Sequence, residues 1–185
     1  MTGSHVQGAD FTDAKLAGAE LWGAQCQDAD FSLAQCQGTD FSTAQLYGVD
    51  FWRTELNSAC FWKARLHAAR IFFASLEGAD FELALLFLAE VRGASMTGAN
   101  LRCTGLQGAY FYDVDFDSNT RLEPAQVRGF SARAVDLSQS MLAPTQFEQM
   151  FVDKSVGLPE ETLAPDWSND VYTDENAYVS AWRAW

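Results

Sequence analysis

The chain has 185 residues, a formal net charge of minus 13 and an apolar fraction of 48%. This length suffices for one domain with a buried core. The acidic balance argues against direct binding of nucleic acid, because phosphate contacts need clustered Lys and Arg. The sequence shows no apolar run of membrane-spanning length and no leader peptide pattern, so we expect a cytoplasmic protein without membrane contact.

A five-residue period organises the chain from Ala9 to Asp117. In each unit a small residue and a polar residue precede a large apolar residue, and two variable residues follow. The large residue returns at every position ending in 1 or 6 between 11 and 116, which makes 22 units. An α-helix repeats at 3.6 residues and a strand at 2, so this period indicates a solenoid whose stacked short turns form a continuous core.

Several units resemble the A(D/N)LXX signature of the pentapeptide-repeat family, and the resemblance covers well over half of the chain. Examples are Gly8-Ala9-Asp10-Phe11, Gly78-Ala79-Asp80-Phe81 and Gly98-Ala99-Asn100-Leu101. The resemblance implies an all-β solenoid, a right-handed quadrilateral β-helix in which four units form the four sides of one coil. Residues 20 apart would then stack, and the columns read at this spacing separate into two rich in Phe and two that are mostly aliphatic.

We predict a lead-in over residues 1–8 and the repeat region over 9–143. Nothing caps the first coil, so a second copy covers its edge or the chain is a fragment of a longer protein. The first part of the repeat region is acidic, because it contains seven Asp or Glu residues between positions 10 and 50 and a single basic residue, Lys15. Asp10, Asp30 and Asp50 would stack and could hold a cation. We interpret them as solvated residues that support the corners, since they recur with the repeat.

Large apolar residues occupy outward positions in the middle of the repeats. Exposed clusters of this kind usually mark an interface, although some of these side chains could instead pack under the C-terminal tail. The residues are Trp52, Trp62, Phe72, Phe73, Leu85, Phe87 and Leu88. They predict contact with a protein partner or with a second copy in a homodimer.

The register slips by one residue near 117–119. Arg121 falls where a core residue is due, and the period resumes at Leu122 and continues to Leu142. We interpret the slip as one inserted residue that forms a bulge. With the units that follow, the β-helix would have about seven coils.

Residues 144–185 are predicted to form a short helical cap and an aromatic tail. Pro144 suits the first turn of a helix, which we place from 144 to about 152 over the open edge of the last coil. Its inward residues would be Phe147, Met150 and Phe151. A final helix is predicted from residue 173, and one of its faces would fold back on the repeats or dock on a partner. That face carries Tyr178, Trp182 and Trp185.

The sequence contains no recognisable catalytic motif. P-loop, nucleophile-elbow and zinc-protease patterns are absent, the four Cys lack CxxC spacing, and the two His are His5 and His67, the latter expected to face solvent. We therefore predict no enzyme activity, no cofactor and no metal site. The expected function is a structural or protein-protein interaction module. The alternative, implied by a resemblance in kind to quinolone-resistance members of the family, is an acidic DNA mimic that binds a type II topoisomerase such as gyrase.

Overall fold

The computed structural model describes residues 2–159 and 175–184. One parallel sheet contains, side by side in chain order, β1 (Arg70–Phe72), β2 (Glu90–Arg92), β3 (Tyr110–Tyr112), β4 (Ser131–Arg133) and β5 (Phe151–Val152). The helices are α1 (Pro144–Phe147) and α2 (Glu175–Ala184). In the part of the chain that the structure describes, neither helix is long and apolar enough to cross a membrane.

Four ladders of parallel bridges run through the repeats, one on each side of the coil. Paired residues are 20 apart, as in Asp10 with Asp30 and Lys15 with Gln35. One ladder widens into the sheet of β1 to β5. Because a unit has five residues and a coil has 20, each coil has four sides, and the chain is a β-helix.

Backbone hydrogen bonds join each unit to the coils on both sides. The N–H of Phe31 donates to the carbonyl of Asp50 in the next coil at 2.8 Å, and the N–H of Asp30 donates to the carbonyl of Ala9 in the preceding coil at 3.0 Å. Each side is only three residues long, but it lies between the equivalent sides of the preceding and following coils. Its backbone N–H and C=O groups therefore find hydrogen-bond partners in both directions.

Most corners are four-residue turns closed by a backbone hydrogen bond. In the first coil the N–H of Ala14 donates to the carbonyl of Phe11 at 2.9 Å, and Asp13 between them has a φ of 57°. Such a positive φ is favourable for glycine and costs other residues roughly 1–2 kcal/mol. Many of the described corners have glycine at this position, but four of them have a bulky apolar residue, namely Leu33, Phe73, Leu83 and Leu88.

The core is filled by the large residue of each unit and the small residue two positions before it. Phe41, Phe61 and Phe81 are fully buried and stack ring on ring, with centroids 5.1 and 4.7 Å apart. Phe31 and Phe51 belong to the neighbouring column and meet Phe41 edge-on at 5.6 and 5.8 Å. The two Phe-rich columns of the sequence are thus two ring stacks in contact, a geometry that aromatic side chains favour.

The pairing distance changes from 20 to 21 residues where the sequence places an inserted residue. Ser95 still pairs with Asp115, but Asn100 pairs with Arg121. The ladders therefore continue beyond the insertion, and the same positions of each unit still point inward. Leu122, for example, is buried.

The Asp117 carboxylate compensates for this insertion. In the preceding coil the corner N–H of Gly78 donates to the carbonyl of Thr97, whereas the equivalent N–H of Gly98 donates to the carboxylate of Asp117 at 2.7 Å. This hydrogen bond, with one from the Asn119 side chain, lowers the pKa of Asp117 to about 2. A side-chain oxygen thus takes the place of the carbonyl that the extra residue displaces.

The helix predicted from 144 to about 152 is shorter than expected. It ends at Phe147, and β5 follows and pairs with β4. The free edge of β4 presents unpaired backbone groups, which β5 satisfies, since the N–H of Phe151 donates to the carbonyl of Phe130 at 2.9 Å. Alternate residues of a strand face opposite ways, so Val152 joins the core while Phe151, predicted inward, lies in a separate cluster with Tyr110.

The β-helix also continues past Pro144. A second inserted residue follows β5, because Ala132 and Val152 pair at a distance of 20 residues, one fewer than the next pair. Asp136 pairs with Gly157 at a distance of 21. Here the hydroxyl of Ser155 accepts the corner N–H of Ala134 at 2.7 Å. Phe147 and Met150 are buried in the core, as expected. The division into 1–8, 9–143 and 144–185 stays a prediction.

Phe61→Ala tests the ring stack. We expect it to lower the free energy of unfolding by about 3–5 kcal/mol, because it removes a fully buried ring from between two others. Phe73→Ala is the matched control, expected to cost under about 1 kcal/mol because Phe73 is exposed. Urea unfolding followed by circular dichroism measures both, and equal losses would contradict the stacked core.

Candidate protein-interaction surface

The interface residues predicted within the repeats do not form one patch, because six of them lie on three of the four corners and Leu85 lies on a side. Trp52, Phe72 and Phe73 share one corner, here called the Phe73 corner, and Phe87 and Leu88 share another, the Leu88 corner. These two corners flank the side that contains β1 to β5. The structure therefore brings two groups of the predicted residues to opposite edges of one side of the coil.

Trp62 and Leu85 lie elsewhere. Trp62 belongs to the corner diagonal to the Phe73 corner, and the ammonium of Lys63 lies 4.0 Å from the centre of its ring. Leu85 pairs with Arg65 and Gly105 on the side between the Trp62 and Leu88 corners, and it is half-buried. Neither residue lies on the β1 to β5 side.

Among the predicted interface residues whose side chains the structure describes, Phe73 and Leu88 are the most exposed, at 59% and 66%. Both occupy the turn position with positive φ, at 58° and 59°. A bulky side chain is unfavourable there by roughly 1–2 kcal/mol, and the exposed side chains recover little by burial. Backbone strain kept at a surface position is a feature of functional sites.

A row of Arg and aromatic side chains crosses the side between these corners. The guanidinium of Arg70 lies 5.3 Å from the centre of the Phe72 ring, and that of Arg92 lies 5.4 Å from Phe72 and 5.2 Å from Tyr110. Asp50 forms an ion pair with Arg70 at 3.3 Å. Phe72 is half-buried, because the guanidinium groups of Arg70 and Arg92 cover its ring through cation–π contacts. Phe73, by contrast, is exposed.

Helix α2 covers the C-terminal part of the same side. The indole N–H of Trp182 donates to the carbonyl of Gly129 at 3.2 Å, and its ring stacks on Tyr110 with centroids 5.6 Å apart. Of the two alternatives for this helix, folding back on the repeats is the one observed. The side chain of Tyr178 and all of Trp185 lie outside the described residues.

Three aromatic rings line the Leu88 corner. Tyr47 stacks on His67 at 4.8 Å, and His67 meets Phe87 edge-on at 4.9 Å. The prediction that His67 faces solvent is wrong, because the stacked coils bring rings 20 residues apart into contact. His67 is therefore half-buried between Tyr47 and Phe87. Burial, with a smaller contribution from the charge of Arg65, lowers the pKa of His67 below its ordinary value.

Three large apolar residues that are exposed at turn positions were not predicted from the sequence, nor was Met141, which is 74% exposed. Trp22, Leu33 and Leu83 are 48%, 39% and 38% exposed. They occupy the two turn positions of their units, as Trp62 and Phe73 do. A search of every turn position for large apolar side chains would have found them, because the corners are where a β-helix of this kind exposes side chains.

The Asp residues of the repeat support the corners, as interpreted from the sequence. The carboxylates of Asp10, Asp30 and Asp50 each accept the backbone N–H two residues further on, at 2.9, 2.8 and 3.0 Å. This is the geometry of an Asx turn. Within residues 2–159 and 175–184, no group of His, Cys, Asp and Glu is arranged to hold a metal ion.

A sequence model described as Pentapeptide repeats matches eight copies in the chain, which together span residues 1–117. The chain belongs to the pentapeptide-repeat family. This assignment agrees with the four-sided coil and the period of five. No curated protein matches this pentapeptide-repeat chain.

Solved structures similar to this pentapeptide-repeat chain have low sequence identity. HetL of the cyanobacterium Nostoc, involved in regulating heterocyst differentiation, is 20% identical, with 88% of this chain and 86% of that chain covered and a TM-score of 0.37. A pentapeptide repeat protein of the cyanobacterium Cyanothece is 18% identical, with coverage of 84% and 88% and a TM-score of 0.47. QnrB1, a plasmid-mediated fluoroquinolone resistance protein, is 19% identical in a trypsin-treated form, with coverage of 86% and 76% and a TM-score of 0.44.

Leu88→Gly tests whether this corner of the pentapeptide-repeat chain is strained. We expect the variant to be more stable by about 0.5–1 kcal/mol, because glycine adopts a positive φ freely and little buried area is lost. Gly38→Ala is the reciprocal control, since the space around Gly38 is open and its φ is 63°; it should lose about 1 kcal/mol. Urea unfolding measures both. A destabilised Leu88→Gly would show that packing of Leu88 outweighs its strain.

The stacked His67 predicts a dependence of stability on pH. Its folded pKa lies below the ordinary value of 6.5, so the unfolded chain takes up a proton first as the pH falls. Stability from this group is present above about pH 6.5 and is lost as the pH drops below it. We expect His67→Gln to reduce the fall in unfolding midpoint between about pH 7.5 and 5.5. An unchanged slope in His67→Gln would contradict the stack as its source.

Proposed function

We propose that this chain is a non-enzymatic scaffold that binds a protein partner, or a second copy of itself, through the β1 to β5 side and the two corners beside it. The observation that carries the proposal is the pair Phe73 and Leu88. Each is more than half exposed and each holds a backbone conformation that disfavours its side chain. Stability alone would favour glycine at both positions.

The surroundings of these two residues also suit an interface. Protein interfaces combine a few large apolar anchors with a polar rim. Phe73 and Leu88 stand at the edges, and the ion pairs of Arg70 with Asp50 and Arg92 with Glu90 lie between them. The half-buried Phe72 beneath these Arg side chains supports them from the core side.

We further propose a right-handed coil of about seven turns that acts in the cytoplasm without direct contact with nucleic acid or membrane. Bridges from His5 to Gly157 at 20 or 21 residues per turn support this number of coils. The net charge of minus 13 supports the proposed lack of contact with nucleic acid.

Site-specific photo-crosslinking tests the proposed surface. Benzoylphenylalanine would replace Phe73 or Leu88 in one set of proteins, and Trp22 or Leu83 in a matched set on the Trp62 corner, which does not flank the β1 to β5 side. We expect irradiation in cells of the source organism to give a discrete cross-linked species from positions 73 and 88 and not from 22 and 83. Sedimentation equilibrium of the purified chain then shows whether the partner is a second copy, since a dimer that Phe73→Asn with Leu88→Asn converts to a monomer identifies self-association. Equal cross-linking from all four positions, with a monomer throughout, would count against the surface.

The acidic DNA mimic is the second candidate. The observation in its favour is the stack of Asp10, Asp30 and Asp50 along one ladder, which lies on the same side as β1 to β5. The pKa of Asp10 is lowered by its hydrogen bonds with Thr12. A gyrase supercoiling assay tests it: inhibition at micromolar protein that is lost when the three Asp are changed to Asn would support the mimic. Full supercoiling activity would exclude it.

A further inference from the structure

A groove of about 1000 Å³ separates helix α2 from the Leu88 corner. Leu88 forms one wall and Trp182 the other, and the backbone of Gly108 and Gly129 lies between them. The groove opens at the end of the β1 to β5 side where α2 begins to cover the sheet. It is therefore continuous with the surface proposed above.

Both walls of the groove are fixed by contacts with the coil. The hydrogen bond of Trp182 to Gly129 and the stack of its ring on Tyr110 hold the aromatic wall. On the other side, the Leu88 side chain lies over Gly108, and a methyl group added to Gly108 would approach Leu88 Cδ2 to 2.8 Å. The space between the walls thus depends on the absence of a side chain at Gly108. A preformed groove binds a ligand without a large ordering cost.

The charged side chains around the groove are unusual for this acidic chain. Arg128 and Arg183 line it, and none of the described carboxylates forms an ion pair with either of them. By contrast, the other Arg residues of this side do form ion pairs, Arg70 with Asp50, Arg92 with Glu90 and Arg133 with Asp153. Among the described residues, the carboxylates of the lining are Glu90 and Glu148, and Glu90 is paired with Arg92. Arg128 and Arg183 therefore exceed the remaining carboxylate by one positive charge, although the whole chain carries minus 13.

The acidic first coils do not cancel this local charge. Asp50 lies three coils before Tyr110 on the same ladder, which is about 14 Å at roughly 4.8 Å per coil. The Debye length at physiological ionic strength is about 8 Å, so the acidic end is largely screened at the groove. A ligand in the groove responds mainly to Arg128, Arg183 and Glu148.

We propose that this groove binds an acidic peptide segment of another protein, in which a Phe, Trp or Leu side chain is flanked by carboxylates. The apolar side chain lies between Leu88 and Trp182, where it is removed from water. The carboxylates receive paired hydrogen bonds from the guanidinium groups of Arg128 and Arg183, a geometry specific to Arg. The proposal rests on the interaction function proposed above and names the class of partner.

A random 12-residue peptide library displayed on phage and selected on the full chain tests the proposal. We expect enriched sequences to place Asp or Glu within two residues of Phe, Trp or Leu. A synthetic enriched peptide and its Asn/Gln counterpart are then compared by isothermal titration calorimetry. The acidic peptide should bind at least about tenfold more tightly, as expected for loss of a charge-assisted hydrogen bond. Enriched sequences without acidic residues, or equal affinities, would overturn the proposal.

Matched variants place the peptide on the chain. Arg128→Glu and Leu88→Asn should each weaken binding about tenfold or more, whereas Arg121→Glu and Leu83→Asn, the same changes away from the groove, should not. Binding lost in Phe73→Asn but kept in Arg128→Glu would overturn the groove and leave the interaction function standing. No enriched peptide, together with no specific cross-linking from positions 73 and 88, would remove both. Peptide binding that appears only after Asp166, Asp170 and Asp174 are changed to Asn would show that the chain's own acidic residues compete for the groove. That result would overturn the proposal that the groove binds a segment of another protein.

Discussion

Every coil of this chain depends on backbone hydrogen bonds to the coils 20 residues before and after it. The N–H of Asp30 reaches back to Ala9 and the N–H of Phe31 reaches forward to Asp50, so neighbouring residues of one unit join three coils. Because sides of three residues are too short to be stable alone, the ladders and the core form together. Stacked rings such as Phe41 on Phe61 follow from the same spacing, since the ladders bring equivalent side chains into line.

This constraint separates structural from functional positions. Inward residues must fill a core of fixed width, and Asp residues such as Asp30 must support the corners. The turn positions are the places where the backbone permits variation, at the cost of a positive φ for any residue other than glycine. Phe73 and Leu88 are bulky there, and they stand beside a side already lined by Arg92 and Tyr110. Some of the features that distinguish this chain from a uniform repeat therefore lie on and beside one side, whereas Trp22, Trp62 and Leu83 lie on the diagonal corner.

The sequence predicts the core well and the surface only in part. A period of five specifies which residues point inward, because a shift of the register by one residue would move every core Phe to an outward position. For the same reason the insertion near 117–119 is visible in the sequence as a break in the register. The end of α1 is not predictable from local preference, because β5 forms in response to the free edge of β4, a tertiary effect. In the sequence, the interface residues within the repeats are recognisable only as large apolar residues at outward positions of the period. Their separation between the Phe73, Leu88 and Trp62 corners becomes evident only once the four sides are assigned, and Trp182 is held by Gly129, 53 residues away in sequence.

The two slips of register have a consequence for how this protein can change length. At Asp117 and again at Ser155, a side-chain oxygen accepts the corner N–H that a carbonyl accepts in regular coils. An extra residue is tolerated where it brings its own acceptor, and the ladders on either side remain aligned. During evolution, insertions that carry Asp, Asn or Ser can therefore accumulate at corners while the sides retain their period. New surface shapes arise in this way without any change to the ring stacks inside.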